Sequence, residues 1–270
     1  MPEIIVKGRR LGYEAQPLDF DRAQLVTVFV HGSGGDRNDW RGQLDGLSDR
    51  FSVLALELPG HGVSEPPGES TVPAYAQWVA ASVETLGFPR VLLVGCSLGS
   101  AIVQWLALSP QPWLVGIGLV GAGAKLAVHP AFLEGILQDH KTAIDMLTGY
   151  AVAVDASVSV RDTIREKFRR NPPELLHGDL AACNSFDIRN EVSAIKVPTC
   201  IIVGEQDRLT PVKYSLFLRD QIAGSELFVI PGAGHLVMLE KPDVFNDHLA
   251  TFIQKLATKE DEATPSPVSS

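Results

Sequence analysis

Gly95-Cys96-Ser97-Leu98-Gly99 directly follows the apolar run Val91-Leu92-Leu93-Val94 and precedes a second apolar stretch, Ala101 to Leu108. A buried strand that passes at once into a helical pattern forces a tight turn at Ser97. Glycines two before and two after the serine let strand and helix approach closely. A hydroxyl lifted clear of the backbone on such a turn is the setting of a nucleophile elbow. The pentapeptide alone is weak evidence, since with Gly and Ser each near 7% of residues about one chain in ten of this length carries it by chance. The plainer alternative is Ser97 as a helix N-cap, its oxygen accepting an early helix N–H. The context discriminates between the two.

Further short apolar runs lie at Leu25–Val30, Val53–Leu58, Leu114–Val120, Cys200–Val203 and Leu227–Ile230, each bounded by Gly, Pro or charged residues. They predict buried strands. Helical patterns fall between several of them, at Ala74–Leu86, Leu98–Leu108, Lys213–Gln221 and Pro242–Leu256. This alternation implies a mostly parallel sheet covered by helices on both faces, with Ile4–Lys7 and Leu11–Ala15 adding an antiparallel hairpin at one edge. From about Lys125 to Ser193 the rhythm breaks, with helix-like segments at Ala131–Leu147 and Val160–Arg169 and no buried strand. The expected division is a core of 1–124 and 194–257 with a helical cap inserted at 125–193. The polar, Pro/Ser-rich stretch 258–270 has no apolar face to offset its ordering entropy and is expected to be disordered.

A chain of 270 residues with 45% hydrophobic content can bury a large core, and 23 Lys+Arg against 32 Asp+Glu leave a formal charge of −9. Without a dense basic block, nucleic acid is not an expected partner. The first residues lack a signal-peptide pattern, and no stretch reaches the ~18–20 apolar residues of a membrane span, so a soluble cytoplasmic protein is expected. Cys96, Cys183 and Cys200 are widely spaced, odd in number and without C-x-x-C, which makes them thiols rather than a disulfide framework or a zinc site.

A serine hydroxyl near neutral pH needs a base, and the base needs a third group to hold its tautomer. His235 lies in Pro231-Gly232-Ala233-Gly234-His235, directly after Leu227–Ile230, and Asp207 in Gly204-Glu205-Gln206-Asp207, just past Cys200–Val203. Both fall on the carboxyl rim where open α/β sheets bind ligands. His129, His140, His177 and His248 follow no core strand. Glu205 is the rival acid, read as an exposed or helix-capping carboxylate. Two N–H donors must face the oxygen of a tetrahedral intermediate. Leu98 supplies one, and the Gly-rich His31-Gly32-Ser33-Gly34-Gly35 after Leu25–Val30 supplies the other, assigned to Ser33.

Taken jointly, His31-Gly32-Ser33-Gly34-Gly35, the turn Leu58-Pro59-Gly60-His61-Gly62-Val63-Ser64, the Ser97 elbow, the Asp207 loop and Gly234-His235 resemble the α/β-hydrolase superfamily, in its compact bacterial esterase-like branch. The resemblance spans nearly the whole core. It implies an eight-stranded sheet, a lid, and structural roles for His31 and His61 in bracing their loops. Two departures stand out: Glu57 where the family commonly has Asp, and Gly99-Ser100 where it commonly has Gly-Gly. Ser100 and Cys96, beside the nucleophile, are therefore expected to bear on pocket size. The reading is a cofactor-independent carboxylic ester hydrolase of a small substrate, without metal, with Ser97, His235 and Asp207 as triad. The same triad also serves carbon–carbon bond hydrolases, lactonases and perhydrolases, and a non-catalytic binding protein on this fold is the alternative of another class. Gly32, Cys96, Phe132 and Leu137 are the candidate substrate contacts. In the basic run Arg161, Arg165, Lys167, Arg169 and Arg170, a solvated face is expected, with one Arg turned inward to bind a substrate carboxylate as the alternative.

Overall fold

The computed structural model describes residues 2–17 and 24–261. Eight strands form a single sheet: β1 (Glu3–Val6), β2 (Arg9–Gln16), β3 (Val26–Val30), β4 (Ser52–Leu56), β5 (Val91–Cys96), β6 (Leu114–Val120), β7 (Thr199–Gly204) and β8 (Glu226–Ile230). Their spatial order is β1-β2-β4-β3-β5-β6-β7-β8. The hairpin β1–β2 and the β2–β4 pair are antiparallel, and every pairing from β4–β3 to β7–β8 is parallel. Every residue of β3, β4 and β5 is buried, as their unbroken apolar runs require of strands covered on both faces.

Among the described residues ten α-helices accompany the sheet: α1 (Arg41–Leu47), α2 (Val72–Leu86), α3 (Leu98–Ala107), α4 (Pro130–Gln138), α5 (His140–Ala151), α6 (Val158–Arg169), α7 (Pro173–Ser185), α8 (Val212–Gln221), α9 (Val237–Glu240) and α10 (Pro242–Asp261). Buried side chains of α2, α3 and α8 pack on one face of the sheet. Those of α1 and α10 pack on the other, in an apolar layer continuous with α4, α5 and α6. Strand β3 sits between β4 and β5, so the chain leaves β3 for one neighbour and returns to its other side. The loops after β3 and β5 therefore diverge, and the crevice between them is where such sheets bind ligands.

Each expected strand and the edge hairpin is present, but β8 is only partly buried, with Val229 exposed, because it lies at the edge of the sheet rather than between two neighbours. Three helical features differ from the sequence reading. The segment 131–147 is two helices, because Asp139 leaves helical geometry (φ −145°, ψ 74°) and its carboxylate accepts the Thr142 N–H as the cap of α5. Helices α1, α7 and α9 have no counterpart among the expected helical patterns. Two glycines give Arg41–Leu47 low helix propensity. Tertiary contacts hold it instead, since the Gln43 amide donates to Met238 O (3.2 Å) and Asn246 Oδ1 (3.1 Å). Helix α10 continues past residue 257 to Asp261, so 258–261 are helical; 262–270 of the expected disordered tail lie outside the described residues.

Candidate active site

Ser97 occupies the left-handed region at φ 53°, ψ −113°, one of two non-glycine residues with positive φ among those described. Such strain persists only where the surroundings over-determine it, and the flanking glycines show how. A Cβ at Gly95 would lie 2.2 Å from Gly99 O, and one at Gly99 would lie 2.3 Å from Val30 O. Ser97 stands at the N-cap position of α3 yet accepts no capping bond, so the plain capping role does not apply. Its backbone is fixed by Ser97 N–H to Val120 O (2.9 Å) and by the Ser100 hydroxyl donating to Ser97 O (2.6 Å).

The loop after β3 runs against this elbow. A Cβ at Gly32 would stand 3.1 Å from Cys96 O and 3.3 Å from the Ser97 Cβ, a spacing only glycine accepts without displacement. The Gly35 N–H donates to Gly32 O (3.0 Å) and closes a turn around Ser33 and Gly34, the latter at φ +62°. Leu98 N–H opens α3, where helical N–H groups lack intrahelical acceptors.

At the ends of β7 and β8 the His235 Nδ1–H donates to Asp207 Oδ2 (2.8 Å), with the Thr210 hydroxyl 3.1 Å from the same nitrogen. The proton on Nδ1 leaves the lone pair on Nε2. Asp207 also accepts from Leu209 N (2.9 Å), Thr210 N (2.8 Å) and Thr210 Oγ1 (2.8 Å). Burial opposes its charge, but His235 and these donors outweigh it, so the carboxyl lies below its ordinary value. Gly121, at the end of β6, makes room for the imidazole, since a Cβ there would lie 2.9 Å from two ring atoms. Glu205 is exposed and accepts the Gly232 N–H at 3.2 Å, away from the histidine.

The inserted helices reach the same loops. The His235 N–H donates to Ala151 O (3.1 Å), and Glu240 accepts from Gly234 N (3.0 Å) and Ala153 N (2.8 Å). Val154 N donates to Gln206 Oε1 (2.9 Å), and the Arg208 guanidinium donates to Gly149 O and Val152 O. The carboxyl end of α5 is thereby stitched to both the Asp207 and the His235 loops.

Beside the β3 loop two imidazoles, His31 and His61, lie with ring centroids 4.8 Å apart and planes tilted by 56°, in unlike surroundings. His31 donates from Nδ1 to Gly32 O (2.8 Å) and accepts the Leu58 N–H at Nε2 (3.0 Å). Burial, then the neighbouring His61, pushes its pKa down to about 3. His61 faces Pro59 O (3.0 Å) and Asp179 Oδ2 (2.9 Å); burial opposes its charge, but Asp179 outweighs it and raises its pKa. Glu57, where the family commonly has Asp, accepts from Arg37 (2.7 Å) and from Val63 N–H (2.8 Å).

Ser97, His235, Gly32 and Ser33 all line one cavity of about 320 Å³. Apolar side chains of the inserted helices, among them Phe132, Met146, Leu147 and Phe168, form most of the rest. Lys167 is the one member of the basic run that lines it, paired with Asp39 at 2.8 Å. Among the described residues no three His, Cys, Asp or Glu side chains converge to hold a metal ion.

The alpha/beta hydrolase fold model matches residues 27–242, spanning β3 to the start of α10. The chain belongs to the α/β hydrolase family. A solved structure of a thermophilic esterase superposes with a TM-score of 0.85 at 34% identity, over 94% of this chain and 97% of that one. The pimeloyl-[acyl-carrier protein] methyl ester esterase of Vibrio atlanticus is 26% identical over 84% of this hydrolase and 94% of its own length. A dihydrolipoyllysine-residue acetyltransferase component of the acetoin cleaving system of Cupriavidus necator is 28% identical over 82% of this chain, which spans 61% of that relative.

Two expected substrate contacts of the hydrolase do not reach the cavity. Leu137 is 51% exposed: Phe132 and Ile136, four residues apart, share the inward face of α4, and the next residue turns away from it. The Cys96 side chain alternates to the opposite side from the turn and is fully buried among Phe29, Val94 and Val120, where burial raises its thiol pKa. Ser100 is fully buried too, so neither sets pocket size. Thr210, Gly121, Asp179 and Glu240 were missed. Thr210, three residues past Asp207, was the one with a local signal, as a hydroxyl able to close a turn on that carboxylate.

Proposed function

We propose that the hydrolase cleaves carboxylic esters of small substrates through an acyl-enzyme intermediate. The observation that carries this reading is the buried His235–Asp207 contact of 2.8 Å opening onto the same cavity as Ser97 on its strained turn. In this mechanism Ser97 Oγ attacks the ester carbonyl while His235 Nε2 takes its proton. Leu98 N–H and Ser33 N–H carry the oxyanion of the tetrahedral intermediate. Collapse expels the alcohol, protonated by His235, and leaves the acyl group on Ser97. Water, deprotonated in turn by His235, releases the acid. Asp207 holds the imidazole in the required tautomer and stabilises its positive form.

Helices α4–α7 act as the lid, and the apolar side chains they contribute favour an aliphatic or aryl acyl group, each buried CH₂ adding roughly 0.8 kcal/mol. The esterase relatives support an ester substrate. The test is a set of p-nitrophenyl esters of rising acyl length, offered to wild-type protein and Ser97→Ala, with labelling by a small fluorophosphonate. Nitrophenol release and labelling by wild type, both abolished in the variant, are expected. Hydrolysis by Ser97→Ala above a few per cent of wild type overturns the assignment.

A further inference from the structure

The β3 loop contains three glycines in five residues, and glycine's broad φ/ψ freedom gives such a loop little rigidity of its own. Its geometry at Ser33 nevertheless has to be fixed, because an oxyanion donor works by being in place before the charge develops. Within the loop a single backbone bond, Gly35 N–H to Gly32 O, closes the turn. The His31 side chain adds a bond to Gly32 O (2.8 Å), and the Gly34 peptide is held from the inserted segment. Asp179, on α7 and fully buried, accepts the Gly34 N–H at Oδ2 (2.8 Å). Asn171, just before α7, donates from Nδ2 to Gly34 O (2.8 Å) and also to Lys167 O (3.1 Å). The peptide units on both sides of Gly34 are thus gripped by side chains more than 130 residues away in sequence.

Asp179 is itself immobilised. Tyr75 donates its hydroxyl to Oδ1 (2.6 Å), and His61 Nε2 lies 2.9 Å from Oδ2. A buried carboxylate is tolerated only with such a set of donors. Three of them come from separate parts of the core: the β3 loop, the turn after β4, and α2. Contact with Leu176, Phe168 and Asn171 leaves no room for a Cβ at Gly34, whose φ of +62° places its N–H and C=O towards these two partners.

We propose that Asp179, with Asn171, is a positioning residue for the oxyanion donor: α7 clamps the Gly34 peptide and so aims Ser33 N–H at the reacting carbonyl. The proposal rests on the ester-hydrolase reading above. It makes the α6–α7 half of the insertion part of the catalytic apparatus, with Asp179 and Asn171, which do not line the cavity, acting through the loop.

The test uses the full chain with Asp179→Asn, which preserves shape but sets an NH₂ or a weaker acceptor against Gly34 and His61. Asn171→Ala is the second variant, at a half-buried position whose loss removes the bonds to Gly34 O and Lys167 O and spares the buried carboxylate. The readouts are kcat and KM for p-nitrophenyl acetate, per site titrated with a fluorophosphonate, and Ki for an alkylboronic acid that forms a tetrahedral adduct on Ser97. Asp179→Asn is expected to lower kcat per titrated site by roughly tenfold to a hundredfold, since misplacing a reacting geometry by about 1 Å costs that much. KM is expected to stay within about twofold and Ki to rise in parallel with the loss in kcat. Asn171→Ala should move the same quantities in the same direction by less. Loss of folded protein lowers the number of titrated sites and leaves Ki alone, so it does not mimic this pattern. If Ser97→Ala abolishes hydrolysis while both variants keep kcat per site and Ki within twofold, the clamp is refuted and the triad stands. Hydrolysis persisting in Ser97→Ala overturns both.

Discussion

Gly99→Ala isolates how much the elbow depends on close approach of two backbones. The added Cβ would stand 2.3 Å from Val30 O and 2.7 Å from His31 O, both atoms of buried backbone at the end of β3. Relief to the 3.0 Å floor of real Cβ contacts requires α3 and β3 to separate by roughly 0.7 Å, because backbone cannot swing aside as a side-chain tip would. Overpacking of this kind costs about 1–3 kcal/mol. At roughly 2–4 °C per kcal/mol for a chain of this size, the expected fall in Tm is about 2–12 °C. The same displacement moves Ser97 and Leu98 N–H relative to Ser33, and a misplacement near 1 Å lowers kcat by about tenfold to a hundredfold. Gly149→Ala is the control. It lies in α5 with no atom within 4 Å of the new Cβ, so the substitution gains helix propensity worth about 0.5–1 kcal/mol and should raise Tm by a few degrees. Differential scanning calorimetry and p-nitrophenyl ester kinetics on the pair check both signs. A Gly99→Ala protein with wild-type Tm and kcat would refute the close-approach argument.

Asp207→Asn should depress kcat by about 10³–10⁴-fold with little change in KM, because it removes the acceptor that fixes the His235 tautomer; Glu205→Gln should leave kcat within twofold, and the reverse pattern in steady-state assays would exchange their roles. Phe132→Ala should shift the ratio of kcat/KM between hexanoyl and acetyl esters by about 1–3 kcal/mol, whereas Leu137→Ala should leave it unchanged because that side chain faces solvent. His31 binds its proton less readily folded than unfolded, so its contribution to stability is intact above pH 6.5. It is lost as pH falls towards about 3, at up to about 1.4 kcal/mol per unit. His61 has the opposite sign, and its pairing with Asp179 stabilises fully below pH 6.5 and fades as pH rises through its raised pKa. Urea midpoints from pH 4.5 to 9 for wild type, His31→Gln and His61→Gln test this: the wild-type acid slope should be absent in the first variant and the alkaline slope in the second.

The parallel sheet and the elbow were legible because strand periodicity and glycine spacing are local signals. Ser97 and its neighbours and the Asp207 loop carry their chemistry within three residues of a buried strand, and His235 lies five residues past the edge strand β8. The inserted helices were harder to read. A strongly amphipathic segment such as α6 was visible, while α7, with Pro at its start and buried residues that face several elements at once, had no single apolar stripe to find. Asp179 was invisible for the same reason. Its meaning comes from His61, Tyr75 and Gly34, at separations of 104 to 145 residues, and no short window contains them. Leu137 shows the converse error: composition placed an apolar residue in a lid, but only the helix phase decides which way it points.

The stitching of α5 to the Asp207 and His235 loops has a consequence for how the molecule comes into being. Synthesis delivers Ser97 and the β3 loop more than a hundred residues before the proposed acid Asp207, the proposed base His235 and the Glu240 bridge. Until the segment from β7 onward is made, the carboxyl end of α5 lacks the loops it bonds to, and in the proposed mechanism Ser97 stands without a base. Synthesis proceeds from the N-terminus, and domains fold as units. In the proposed mechanism the growing chain is therefore inert until β7 and β8 have been made, and competence arrives with those two strands and the docking of the inserted helices on the loops that follow them.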